Sequence, residues 1–156
     1  MRTFAAILPA MFLTAGAASA YTPAEERAAQ AICAQAAKNI NTLADFTRTD
    51  CTPAKDGDAL SLIFISLDPV FANERSKKAY LLVFVGAVGA ALNANPKARI
   101  TTASFMDKHL GQKRTYFTIS AKEAARLQRE IKADRLTLYG FYNGILAAGK
   151  MRPVGK

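Results

Sequence analysis

His109 is the only histidine in the 156-residue chain, and Cys33 and Cys51 are its only cysteines. Those three residues bound the side-chain chemistry open to it. Nucleophilic catalysis needs a Ser, Cys or Thr held against a base that a third group orients. No Gly-x-Ser-x-Gly run occurs, and His109 lies in Asp107 to Lys113, a stretch that reads as a hairpin loop with Gly111. A lone loop histidine is more often a solvated polar side chain than a general base. Cys33 and Cys51 stand too far apart for the Cys-x-x-Cys of a thiol oxidoreductase, so they read as one structural disulfide. Closing a loop of that size gives about 3 kcal/mol in the chain-entropy account.

The remaining chemistry is equally thin. Asp45, Asp50, Asp56, Asp58 and Asp68 are the pool for a paired-carboxylate site. Asp56-Gly57-Asp58 resembles a fragment of a calcium loop, but the further ligands are missing and it reads as a turn. One histidine and no free thiol argue against zinc. Gly86-Ala87-Val88-Gly89 sits inside an apolar run with no Lys-Ser/Thr after it, so it is not a phosphate loop. No catalytic site, metal or cofactor is indicated, and binding is what remains.

Charge gives that reading its direction. Residues 21–72 hold four basic residues (Arg27, Lys38, Arg48, Lys55) against seven acidic ones, whereas residues 73–156 hold sixteen basic against five acidic. Lys108, His109, Lys113 and Arg114 cluster at the hairpin, and Lys122, Arg126 and Arg129 follow on a helix, with Tyr116 between. Merged into one surface, these residues suit an anionic partner. Phosphorylated lipids, cell-wall polymers or an acidic protein fit such a surface. Cations interleaved with aromatics also occur in nucleic-acid binding, which is less favoured for an exported chain. A merely solvated charged face is the competing reading.

Export is inferred from MRTFAAILPAMFLTAGAASA, where Arg2 precedes an apolar segment ending in the small-x-small triplet Ala18-Ser19-Ala20. Residues 1–20 are expected to be a signal peptide cleaved near Ala20, giving a periplasmic or secreted protein that is not integral to the membrane. Residues 21–150 form one domain, and residues 151–156 a loose basic tail.

The elements that position these groups follow from caps and periodicity. Thr22-Pro23-Ala24-Glu25 is a capping box opening a helix to about Ala44, with a thin stripe of Ala29, Ile32, Ala36, Ile40 and Leu43. Thr47 to Asp58 is polar and reads as loop. Ala59 to Leu67 is apolar on both faces, which predicts a central strand covered on both sides. Asn73 caps a helix whose uncharged run, Ala79 to Leu92, is short of a bilayer span and ends at Asn93, Asn95 and Pro96. Ala98 to Met106 and Arg114 to Ile119 read as strands, and Ser120 to Glu123 is a second capping box, opening a helix with Ala124, Leu127 and Ile131 inward. Arg135 to Tyr142 is read as a strand turning at Asn143-Gly144, with a helix as the alternative.

The resulting order from Ala59, β-α-β-β-α-β, predicts a ferredoxin-like split βαβ fold of the α+β class: a four-stranded antiparallel sheet plus an N-terminal helix tethered by the disulfide. That helix, or a partner, is expected to cover the second sheet face. The function expected is that of a non-catalytic envelope binding or accessory protein with a basic surface for an anionic partner. The alternative is an inhibitor or chaperone-like module docking protein through an open sheet face or edge, and a homodimer is among the assemblies considered.

Overall fold

A computed structural model describes residues 21–44, 48–66, 68, 70–71, 73–107 and 114–154, so the expected signal peptide lies outside the described residues. Helix α1 spans Pro23–Leu43 and begins as its capping box requires. The Thr22 hydroxyl accepts from the Glu25 N–H, and the Glu25 carboxylate accepts from the Thr22 N–H. Its buried stripe is Ala29, Ile32, Cys33, Ala36 and Ile40, while Leu43 is exposed. Cys33 is disulfide-bonded to Cys51, which ties this alanine-rich helix to strand β1.

Strand β1, Thr49–Asp56, corrects the loop expected there. It pairs antiparallel with β2, Ala59–Ser66, across a tight turn in which Gly57 has φ 60°. A strand at the sheet edge can be polar, because only one side of it is covered, and it tolerates Pro53 there. The Asn41 side chain bonds both the N–H and the C=O of Thr49, at 2.7 and 2.9 Å, fixing the start of β1 to α1.

Helix α2, Glu74–Ala94, is capped by Asn73, whose side chain accepts from the Ser76 N–H. It is long and apolar enough to cross a bilayer, yet Tyr80, Leu81, Phe84, Val85 and Val88 are fully buried in the core. Phe84 meets Phe64 edge-on at 5.1 Å between ring centroids and Phe117 at 6.1 Å, while Tyr80 lies 4.2 Å from Phe105. The Tyr80 hydroxyl shares a 3.0 Å hydrogen bond with Thr49 on β1, and burial raises its pKa.

The chain continues through β3 (Ile100–Asp107), β4 (Arg114–Ser120), α3 (Ala121–Lys132), α4 (Leu138–Ala148) and β5 (Lys150–Val154). Ser120 caps α3 by accepting from the Glu123 N–H. Helix α4 replaces the expected strand and Asn-Gly turn. Thr137 caps it by accepting from the Gly140 N–H, and Phe141 and Ile145, four residues apart, bury on one side. The expected basic tail enters the sheet as β5, paired antiparallel with β4.

The fold is α+β, with a five-stranded mixed sheet in the order β1-β2-β3-β4-β5. That order is not the split βαβ arrangement. Strand β3 returns directly beside β2 and parallel to it, with no strand inserted between them. All four helices lie on one face. Cys51, Phe64, Phe105 and Phe117 occupy one register row, and each meets a helix or shares its core. Helix α1 therefore does not cover the second face, contrary to expectation. The disulfide fixes it beside α2, because Cys51 points to the helix side.

Three variants test this packing. A Cβ added at Gly89 would collide with the Ala124 carbonyl of α3 and the Gln128 Cβ. Gly89→Ala is expected to destabilise by about 1–3 kcal/mol in urea unfolding, whereas Gly86→Ala, with open space around it, should not. Replacing both cysteines by serine should cost about 3 kcal/mol in the same measurement.

Candidate functional site

Of the expected binding residues, Lys122, Arg126 and Arg129 come together on α3, but with different commitments. Arg126 donates from Nε and Nη2 to Glu123 Oε2, at 3.1 and 2.8 Å. That bond keeps Glu123 below its usual carboxylate range and neutralises Arg126 locally. Arg129 donates to the Asn93 side-chain oxygen at 2.6 Å, and Asn93 in turn donates to Gln128 Oε1 and the Ala125 carbonyl. Lys122 and Arg129 have no acidic partner among the described residues.

These two cations flank a cleft of about 260 Å³ between the end of α2 and the first turns of α3. Asn93, Asn95, Pro96 and Ala125 line it, with no acidic side chain. The N-terminal turn of α3 contributes the positive end of its dipole. The opposing C-terminal end of α2 is partly quenched, because Asn95 donates its backbone N–H to Leu92 and its side-chain N–H to the Ala91 carbonyl. The cleft is thus lined by two cations and no acid, with Arg129 held in place by Asn93. Sequence reasoning missed Asn93, which was read only as a helix stop.

Only part of the rest of that expected set falls among the described residues. Lys108, His109 and Lys113 lie outside the described residues, and Arg114 starts β4 opposite Val154. Tyr116 adjoins Phe117 in β4. Since Phe117 is buried under the helices, alternation turns Tyr116 to the other side of the sheet, away from α3. Among the described residues, Lys122 and Arg129 thus stand at a cleft on the helix side, and Tyr116 on the open side.

That open side is the second candidate surface. Among the described residues no helix covers it, and it presents Ile63, Ile65, Met106, Tyr116 and Thr118 half-buried among their neighbours. Ser104 and Thr118 share a 3.0 Å hydrogen bond across it. A separate apolar exposure lies on α4, where Leu138, Tyr139 and Leu146 are exposed and Lys78 sits 5.1 Å over the Tyr142 ring.

A larger cavity, about 420 Å³, lies beside the cleft and shares Asn95, Pro96 and Ala98 with it. Half of its lining residues are alanine, and its one acid, Glu25, is already engaged. Arg99 donates to both Glu25 oxygens, from Nε at 2.5 Å and from Nη2 at 3.0 Å. No protein-family model, curated protein or solved structure matches this chain.

The Glu25 cluster makes a pH prediction. The Arg99 bond, with the Thr22 cap, lowers the Glu25 pKa from 4.5 to about 2. The stabilisation it contributes is complete above the ordinary carboxylate value and is lost as pH falls from 4.5 towards 2. In pH-dependent unfolding, the gap between the native protein and Glu25→Gln is expected to stay level at neutral pH and to close across that window.

Proposed function

We propose that this chain is an exported, non-catalytic binding or accessory module that holds an anionic envelope component in the cleft between α2 and α3. The leader-like N-terminus supports export, and the Cys33–Cys51 disulfide fits an oxidising compartment. The observation that carries the binding reading is the pairing of Lys122 and Arg129 across a concave, acid-free cleft. Two cations about two helical turns, roughly 10 Å, apart on α3 can converge through their long side chains on the oxygens of a phosphate or carboxylate, with the Asn95 amide as a neutral partner. A volume of about 260 Å³ suits a headgroup or one unit of a charged polymer better than a whole small molecule buried on all sides.

Docking of a protein on the uncovered sheet face is a second reading with its own observation, the absence of any helix over that face among the described residues. Both sheet edges are blunted against strand addition, β1 by Pro53 and β5 by the exposed cations Lys150 and Arg152, which favours the face over the edges.

Sedimentation with vesicles carrying phosphatidylglycerol, against phosphatidylcholine controls, tests the anionic reading. Binding is expected only to the anionic vesicles and should fall steeply with salt. Lys122→Ala and Arg129→Ala should each weaken it by about tenfold, the loss of one charge-assisted bond of roughly 1.5 kcal/mol. Arg126→Ala should change it little, because Arg126 is paired with Glu123. Binding that persists at high salt, or that ignores both cleft variants, rejects the cleft as the site.

A further inference from the structure

The open sheet face carries an ordered row of charge and apolar side chains. Following the strand register across the sheet, Asp50 stands beside Ile65, Ile65 beside Met106, Met106 beside Tyr116, and Tyr116 beside Arg152. The row thus begins with an exposed acid on β1, ends with an exposed base on β5, and is apolar between them. The next row repeats the theme in weaker form, from Thr52 through Ile63, Ser104 and Thr118 to Lys150. Neither Asp50 nor Arg152 has an ion-pair partner among the described residues.

We infer that a second copy of this chain covers the face, related by a two-fold axis that runs along β3. A face-to-face pair of identical sheets can be related by a two-fold lying in the interface either along the strands or across them. An axis across the strands would set β1 on β1 and β5 on β5, bringing like charges together. An axis along β3 reverses the strand order, so each β1 lies over the partner copy's β5. Position along the strand is then preserved, and every row faces itself reversed. Asp50 of each copy meets Arg152 of the other, Ile65 meets Tyr116, and Met106 meets Met106.

The geometry and area suit this pairing. Aligned sheets pack about 10 Å apart with strands about 30° from parallel. The resulting offset at the row ends is roughly 5 Å, within the reach of an arginine side chain. Five strands about 4.8 Å apart, seven or eight residues long except the five-residue β5, make a face of roughly 20 by 25 Å at its longest. With side-chain relief that is about 600 Å² per copy, the lower end of specific interfaces. The inference rests on the sheet face alone and is independent of the anionic cleft, which lies on the helix side.

Analytical ultracentrifugation of the purified, oxidised protein tests it. A concentration-dependent dimer is expected at submillimolar concentration. Asp50→Arg and Arg152→Asp should each weaken it by about tenfold or more, and the two together should restore it, since the swapped charges meet again. Restoration in the double variant also shows that neither position is needed for folding. The only cysteines are disulfide-bonded, so Met106→Cys gives a single reactive thiol at the axis. Facing strands are too far apart for a direct disulfide, but a short bis-maleimide should link two copies there, while Lys132→Cys on the helix side should not link. A native protein that stays monomeric, a dimer indifferent to both charge reversals, or a dimer that Met106→Cys cannot cross-link overturns the proposal.

Discussion

The seat of α2 on the sheet is the contact from which the other placements follow. Tyr80 and Phe84 project from α2 into a cluster with Phe64, Phe105 and Phe117, so one helix touches three neighbouring strands through aromatic rings. Once α2 is fixed there, α1 must lie beside it on the same face, because Cys51 turns to the helix side and the disulfide cannot reach around the sheet. On the other flank, Gly89 lets the α3 backbone come into contact, with the Ala124 carbonyl where a side chain would stand. That close approach brings Asn93 within bonding distance of Ala125, Gln128 and Arg129. The cleft is therefore a product of helix packing rather than of any local motif.

The same seat decides what is left uncovered. A layer of four helices on one face, among the described residues, covers the aromatic side of β2, β3 and β4 and leaves no helix over the alternate residues. Their composition is intermediate: hydroxyls such as Ser104 and Thr118, which satisfy one another, beside Ile63, Ile65, Met106 and Tyr116. A face meant only for water would carry more charge at its centre, and a constitutive core would carry no charge at its margins. In the row from Asp50 to Arg152 this face has apolar residues at the centre and charge at both edges, the pattern on which the proposed pairing rests.

Much of this was legible where end signals and apolar patterns agreed. Asn73 and the Asn-rich stop at residues 93–95 marked α2, and the Thr22–Glu25 box marked α1, because caps are local and need no tertiary context. Strand β1 was not legible, since Thr-Asp-Cys-Thr-Pro-Ala-Lys-Asp carries no strong alternation. Its pairing with β2 and its disulfide override its weak propensity. Helix α4 failed for the opposite reason: Leu-Tyr-Gly-Phe-Tyr suits a strand, and only packing of Phe141 and Ile145 against α2 and α3 makes it helical. The ferredoxin-like order fell with those two elements. The cleft was half legible, since Lys122 and Arg129 could be named, but the neutralisation of Arg126 by Glu123 and the role of Asn93 needed coordinates.

The uneven charge along the sequence acquires a spatial meaning from the strand order. Because the sheet runs β1 to β5 in chain order, the acid-rich first half and the base-rich second half become opposite edges. Those edges are roughly 20 Å apart across the sheet, about twice the screening length at physiological salt. Asp50 and Arg152 therefore cannot neutralise each other within one copy. Sequence asymmetry that is merely a solubility device has no reason to align acid and base in one register row, with apolar residues joining them. In the proposed pair, that alignment sets each acid opposite the partner copy's base.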